Sequence, residues 1–151
     1  MSTFRQIAQQ LRNTIRTSAD RIHGWDEEFV SQKWRSSEAW SRKEIFGHLL
    51  DSASNNHQRF VRTAQDGAYT GPAYEPDAWI ATAAYCEFNW EKLQSLWLNY
   101  NALIAHVLER IPEERANAQC KIGDGEPVTL QFVAEDYVKH LEHHLAQIFQ
   151  R

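Results

Sequence analysis

Three histidines carry the chemistry this sequence offers. His140 and His144 stand four residues apart in the closing stretch TLQFVAEDYVKHLEHHLAQIFQR, and His48 lies early in SRKEIFGHLLDSASNNHQRFVRTAQ. On an α-helix that spacing puts two side chains one turn apart on one face, with about 5–6 Å between Cβ atoms. Both imidazoles can then lean toward one cation at about 2.0–2.1 Å from each nitrogen. With His140 at zero on a wheel of about 100° per residue, Val133, Tyr137, Leu141, His144, Leu145 and Ile148 share one apolar arc, and Glu135, Lys139, Glu142 and Gln150 lie outside it. Both histidines border the stripe, where side chains face a bundle interior close to its rim. His48 holds the same kind of border position on its own segment, outside Ile45. The plain alternative is three boundary histidines hydrogen-bonded to neighbours or water.

Three histidine ligands without a fourth are the pattern of a metal site that keeps a position open for water or substrate. Imidazole suits Zn, Ni, Cu or Fe, and such an ion can acidify a bound water or stabilise a thiolate. Asp51, one turn past His48, is placed as a base or as an acceptor behind a ligand. Gln147, one turn past His144, can orient a ligand or a bound water. Arg59 and Arg62 can meet an anionic co-substrate, although a solvated helix face explains them as simply. Glu44 is accounted for as a helix cap. His57 and His143 point away from the candidate face and read as solvated, with His57 open to a second site; His23 and His106 read as packing or surface residues.

The elements that must position these residues follow from periodicity. Thr3 and Gln6 offer a capping box ahead of Phe4, Ile7, Ala8, Leu11, Ile15 and Ile22, predicting a first helix to about His23, ended by Gly24. Trp25, Asp26, Phe29, Trp34 and Trp40 follow in a polar connection. They read as a hydrophobic cap over one end of a bundle rather than as the wall of a cleft. Ser41 and Glu44 form an S-x-x-E box directly before the His48 helix, and Gly67 closes it. GAYTGPAYEP reads as a loop rich in turn formers.

The helical pattern resumes at Asp77, breaks near Ala83 to Phe88, and runs to Pro112. Trp90, Leu93, Leu96, Trp97, Tyr100, Leu103, Ile104, Val107 and Leu108 are its predicted core face. Glu113 to Pro127 reads as a long loop with a short extended piece, after which Thr129 caps the helix of His140 and His144. Four helices of roughly 20–25 residues can bury their stripes only against one another, so an all-α four-helix bundle is the predicted fold.

A chain of 151 residues, 42% hydrophobic, suits a single domain over 1–151. A net charge of -4 without a basic run lacks the footprint of a nucleic-acid binder. No apolar run approaches a membrane span and MSTFRQIAQQ lacks the pattern of a secretory signal, so the expected location is cytoplasmic. Cys86 and Cys120 are too few for a disulfide framework and fit a reducing compartment. Cys86 reads as a packed small hydrophobe, Cys120 as an exposed or loop thiol. Trp34, Trp40, Trp79 and Trp90 are as easily core as interface.

The segments IFGHLLDSASNNHQRF, with His48, and DYVKHLEHHLAQI, with His140 and His144, resemble the DinB superfamily and its YfiT-like metalloenzyme branch, in four helices taken in order over essentially the whole chain. The resemblance implies an up-down-down-up four-helix bundle, one divalent metal, Zn or Ni, held by His48, His140 and His144, and a homodimer. The activity it implies is a thiol-dependent S-transferase that activates a low-molecular-weight thiol for attack on a small-molecule substrate. One alternative is a metal-dependent hydrolase using a metal-bound water; another is a non-catalytic, stress-associated metal- or ligand-binding protein. The acidic residue usual after the first histidine of the last helix is matched only loosely here, by Leu141 and then Glu142.

Overall fold

The computed structural model describes residues 2–33 and 35–150, so Trp34 of the aromatic connection lies outside the described residues. Its α-helices are α1 (Phe4–Ile22), α2 (Glu27–Ser31), α3 (Arg42–Asp66), α4 (Pro76–Ala83), α5 (Trp90–Arg110) and α6 (Leu130–Ile148). Each long helix starts where local chemistry dictates. Thr3 accepts from the Gln6 N–H while the Thr3 N–H donates to Gln6 Oε1, and Ser41 and Glu44 repeat the exchange at α3. Asn89 and Thr129 cap α5 and α6 through their side-chain oxygens. Such caps satisfy N–H groups that the first turn leaves without partners. Gly67 ends α3 at φ 80°, in the left-handed region open to glycine, and its N–H closes on the Thr63 carbonyl.

The order of the four long helices follows from which ends meet. Arg12 pairs with Glu109 and the Phe4 N–H donates to Glu113, so α1 and α5 run antiparallel. Ser2 meets Glu135 while Arg21 reaches Phe149, so α1 and α6 run parallel. Phe46 packs on Trp90 and Trp97, and His57 further along meets Tyr100, so α3 and α5 are parallel too. The remaining neighbours, α3 and α6, are antiparallel. This is the up-down-down-up bundle. Parallel neighbours cannot be joined by a tight turn, which is why α4 and a strand fill the crossover from α3 to α5.

A small sheet ties one end of the bundle. β1 (Ala68–Gly71) pairs in parallel with β2 (Gln119–Ile122), and β2 pairs antiparallel with β3 (Val128–Thr129). The segment after Gly67 is therefore partly strand where turn formers predict loop, because Ala68 to Gly71 finds a partner in residues 51 positions away, beyond the reach of local pattern. The extended piece expected before Pro127 is β2. The sheet joins the C-terminal end of α3 to the N-terminal end of α6, so the opposite ends of these helices, which carry the histidines, are also brought together.

Two further expectations are corrected. Leu96 and Leu103 are 45% exposed, because α5 packs on α1 and α3 but lies diagonal to α6, and its buried stripe is narrower than the wheel allows. Cys120 is buried and Cys86 exposed, the reverse of the expectation. The inward side of β2 lies under α3 and α6, whereas the 3-10 turn at Tyr85–Glu87 directs Tyr85, not Cys86, into the protein. Trp90 is core and Trp79 is partly exposed. Among the described residues no helix is long and apolar enough to cross a membrane.

Candidate metal centre

The antiparallel approach of α3 and α6 sets His48 against His140 and His144. One ring nitrogen from each lies within 4.8 Å of the others, and His48 Nε2 is 3.2 Å from His140 Nε2. Two nitrogens bound to one tetrahedral ion at about 2.0–2.1 Å stand about 3.3 Å apart, so this pair already has the spacing of two ligands. His144 Nδ1 lies 3.1 Å from Gln147 Oε1, and the Gln147 amide nitrogen lies 3.3 Å from His143 Nε2. An amide oxygen only accepts, so His144 carries its proton on Nδ1 and keeps the Nε2 lone pair free to bind.

Burial pushes His48 down to about 4, with His144 and His140 adding to the effect. Burial likewise takes His144 to about 4, with His140 assisting and the Gln147 bond opposing. His140 is lowered by burial, against the attraction of Asp136. All three are therefore neutral imidazoles at neutral pH, the form that ligates metals. The donor set and its spacing fit one divalent ion. Trp40 packs on His48 with ring centroids 5.0 Å apart, which places it at the site rather than in the aromatic cap formed by Trp25, Phe29 and Phe149.

A cavity of about 200 Å³ opens beside His140, with Ser52, Asn56, Arg59, Tyr74 and Asp136 in its wall. Asp51 faces differently. Its Oδ1 accepts a 2.5 Å hydrogen bond from Tyr85, its Oδ2 is buried without a partner, and it borders a second cavity with Trp79 and Thr82. Burial raises the Asp51 pKa, partly offset by the Tyr85 bond.

Of the residues singled out from sequence, His48, His140, His144 and Gln147 come together and Arg59 reaches the adjoining cavity. Asp51 touches none of the three histidines by hydrogen bond, and Arg62 bonds Gln58 away from the cavity. His57 is half-buried against the Tyr100 hydroxyl at 2.9 Å rather than solvated. Sequence reasoning missed Trp40, Tyr74 and Tyr85, whose loops carry no periodic signal, and Asp136. The last was legible: Asp136, His140 and His144 repeat every fourth residue along one face of α6.

The sequence model of the DinB superfamily matches residues 4–148. The chain belongs to the DinB superfamily. No curated protein matches it significantly. Among solved structures, this DinB-superfamily bundle is similar to YfiT from Bacillus subtilis, with a TM-score of 0.83 and 19% sequence identity over 98% of this chain and 86% of that one. YfiT is described as "a probable metal-dependent hydrolase with an unusual four-helix bundle topology". At that identity the likeness establishes the fold that the DinB chain shares with it.

Proposed function

We propose that the protein is a divalent-metal-dependent enzyme in which His48, His140 and His144 hold one ion, Zn or Ni, and that it activates a low-molecular-weight thiol for transfer to a small electrophile. The observation that supports this reading is the convergence of three neutral imidazoles, with His48 and His140 at the spacing of paired ligands. A divalent ion bound by three neutral ligands keeps its full charge and an open position, and supplies Lewis-acid chemistry that favours an anionic thiolate. Gln147 holds His144 in the binding tautomer, Trp40 shields His48 from water, and the cavity beside His140 receives the second substrate. We place the enzyme in the cytoplasm, where its two free cysteines stay reduced.

The test is spectroscopic. Co- or Ni-loaded protein titrated with cellular thiols should develop a sulfur-to-metal charge-transfer band, and His140→Ala should abolish it. Silence with every thiol tried would overturn the transferase reading.

Hydrolysis is the second reading, favoured by Asp136, a carboxylate in the wall of the cavity that His140 shares. Asp136 is placed to accept a proton from an attacking water. Here esters or amides turn over without thiol, and Asp136→Asn lowers kcat while metal content stays intact. Chelation that lowers Tm in a protein without turnover on either panel would instead mark a binding protein.

A further inference from the structure

The cavity beside His140 has a charged wall that the three histidines do not use. Arg59, half-buried, donates from Nη1 to Asn56 Oδ1 at 3.4 Å and from Nη2 to the Pro72 carbonyl at 3.3 Å. Asn56 is buried and is itself fixed by donating to the Ser52 carbonyl at 2.8 Å and to Ser52 Oγ at 3.3 Å. Tyr74 shares this wall. The guanidinium is thus oriented by neutral acceptors, and among the described residues it forms no ion pair with a carboxylate.

A guanidinium carries five N–H donors in a planar fork. Two are engaged by protein, and the rest remain for a ligand. A positive charge held in place but not neutralised, beside a half-enclosed cavity, suits a planar carboxylate that can accept two parallel hydrogen bonds. Ile122, Val128 and Val133 supply apolar wall from β2, β3 and α6. Asp136 is exposed on the same cavity and disfavours a second negative charge, which argues against phosphate.

We propose that this cavity is a carboxylate subsite: Arg59 holds a small, apolar-bodied monocarboxylate by its carboxylate, with the far end of the molecule directed to His140. The proposal deepens the metal-enzyme reading and rests on it only for the chemistry at that far end. At about 200 Å³ the cavity admits a short-chain acid and not a polymer.

Butyrate and butyramide, equal in shape and different in charge, are the probes. Amide and guanidinium NMR shifts of the full-length protein would be followed as each is added, in Zn-loaded and chelator-treated samples whose metal content is measured in parallel. Butyrate should shift the Arg59 Nε–H and the Asn56 and Tyr74 signals, with butyramide weaker by roughly tenfold or more, as expected for loss of a charge-assisted pair. Arg59→Gln should abolish the butyrate preference, Arg59→Lys should keep a weakened one, and Arg62→Gln should leave it unchanged. Equal response to both probes, or a butyrate preference that survives in Arg59→Gln, overturns the subsite. A response that vanishes with Zn makes the carboxylate a metal ligand and also overturns it. Butyrate binding through Arg59 in a protein that refuses Zn would sink the metal reading and leave the subsite standing.

Discussion

Tyr85 donates a 2.5 Å hydrogen bond to Asp51 across the face of α3, and its ring can lie there only because residue 47 is glycine. A Cβ at Gly47 would fall within the Tyr85 ring. Tyr85 also ends the α4 crossover, so this one close approach joins the crossover to the helix that carries His48.

Gly47→Ala should therefore destabilise the fold by about 1–3 kcal/mol, the usual cost of overpacking. Urea denaturation of Gly47→Ala, Tyr85→Ala and the double variant would check it. The double variant should be no less stable than Tyr85→Ala, since without the ring the added methyl meets nothing large.

The buried Asp51 carboxyl makes stability depend on pH in a definite sense. Burial raises its pKa in the folded chain, while the unfolded chain titrates near the ordinary ~3.9. Between those two values the folded state binds the proton more tightly, so the Asp51 contribution falls as pH rises and is constant above the folded value. Subtracting the stability of Asp51→Asn from that of the parent, measured by urea at a series of pH values on metal-free protein, should reveal a decline beginning near pH 4. Tyr85→Phe removes a bond that opposes the rise and should carry the decline to higher pH.

Metal content by mass spectrometry on protein purified without chelator should be near stoichiometric in the parent and lost in His48→Ala, His140→Ala and His144→Ala. Gln147→Ala should retain the site but weaken metal affinity by about 10–100-fold, the usual effect of removing a group that orients a ligand. Metal at a hundred times its Kd should raise parent stability by about 2.7 kcal/mol. Unchanged affinity in Gln147→Ala would show that the His144 tautomer needs no partner.

The cysteines should differ in reactivity. Under native conditions a thiol reagent should label Cys86 quickly and Cys120 only on unfolding, because one is exposed and the other is buried in β2. Mass spectrometry of peptides after brief labelling would read it, and rapid labelling of Cys120 would contradict the placement of β2.

Leu96 and Leu103, two turns apart and each 45% exposed on α5, leave an apolar stripe uncovered, and we propose that a second copy of the chain covers it. Sedimentation of the parent as a dimer and of Leu96→Glu/Leu103→Glu as a monomer would support this. A monomeric parent would dismiss it.

What the sequence by itself determined is what closes within a few turns of chain. The Ser41–Glu44 box, the Gly67 stop and the one-turn spacing of His140 and His144 are local, because each depends on hydrogen bonds or helical geometry between neighbours along the chain. The buried stripe of α6 was legible for the same reason. Only the tertiary structure decided that His48 meets His140 at 3.2 Å, that Trp40 covers His48, and that Arg59 rather than Arg62 faces the cavity. It also decided which cysteine is buried and which side of α5 is left uncovered. These relations join residues far apart in the chain. They depend on the parallel pairing of α3 with α5, the antiparallel pairing of α3 with α6 and the sheet that clamps one end, and no periodicity within a single helix encodes how it will be rotated against its neighbours.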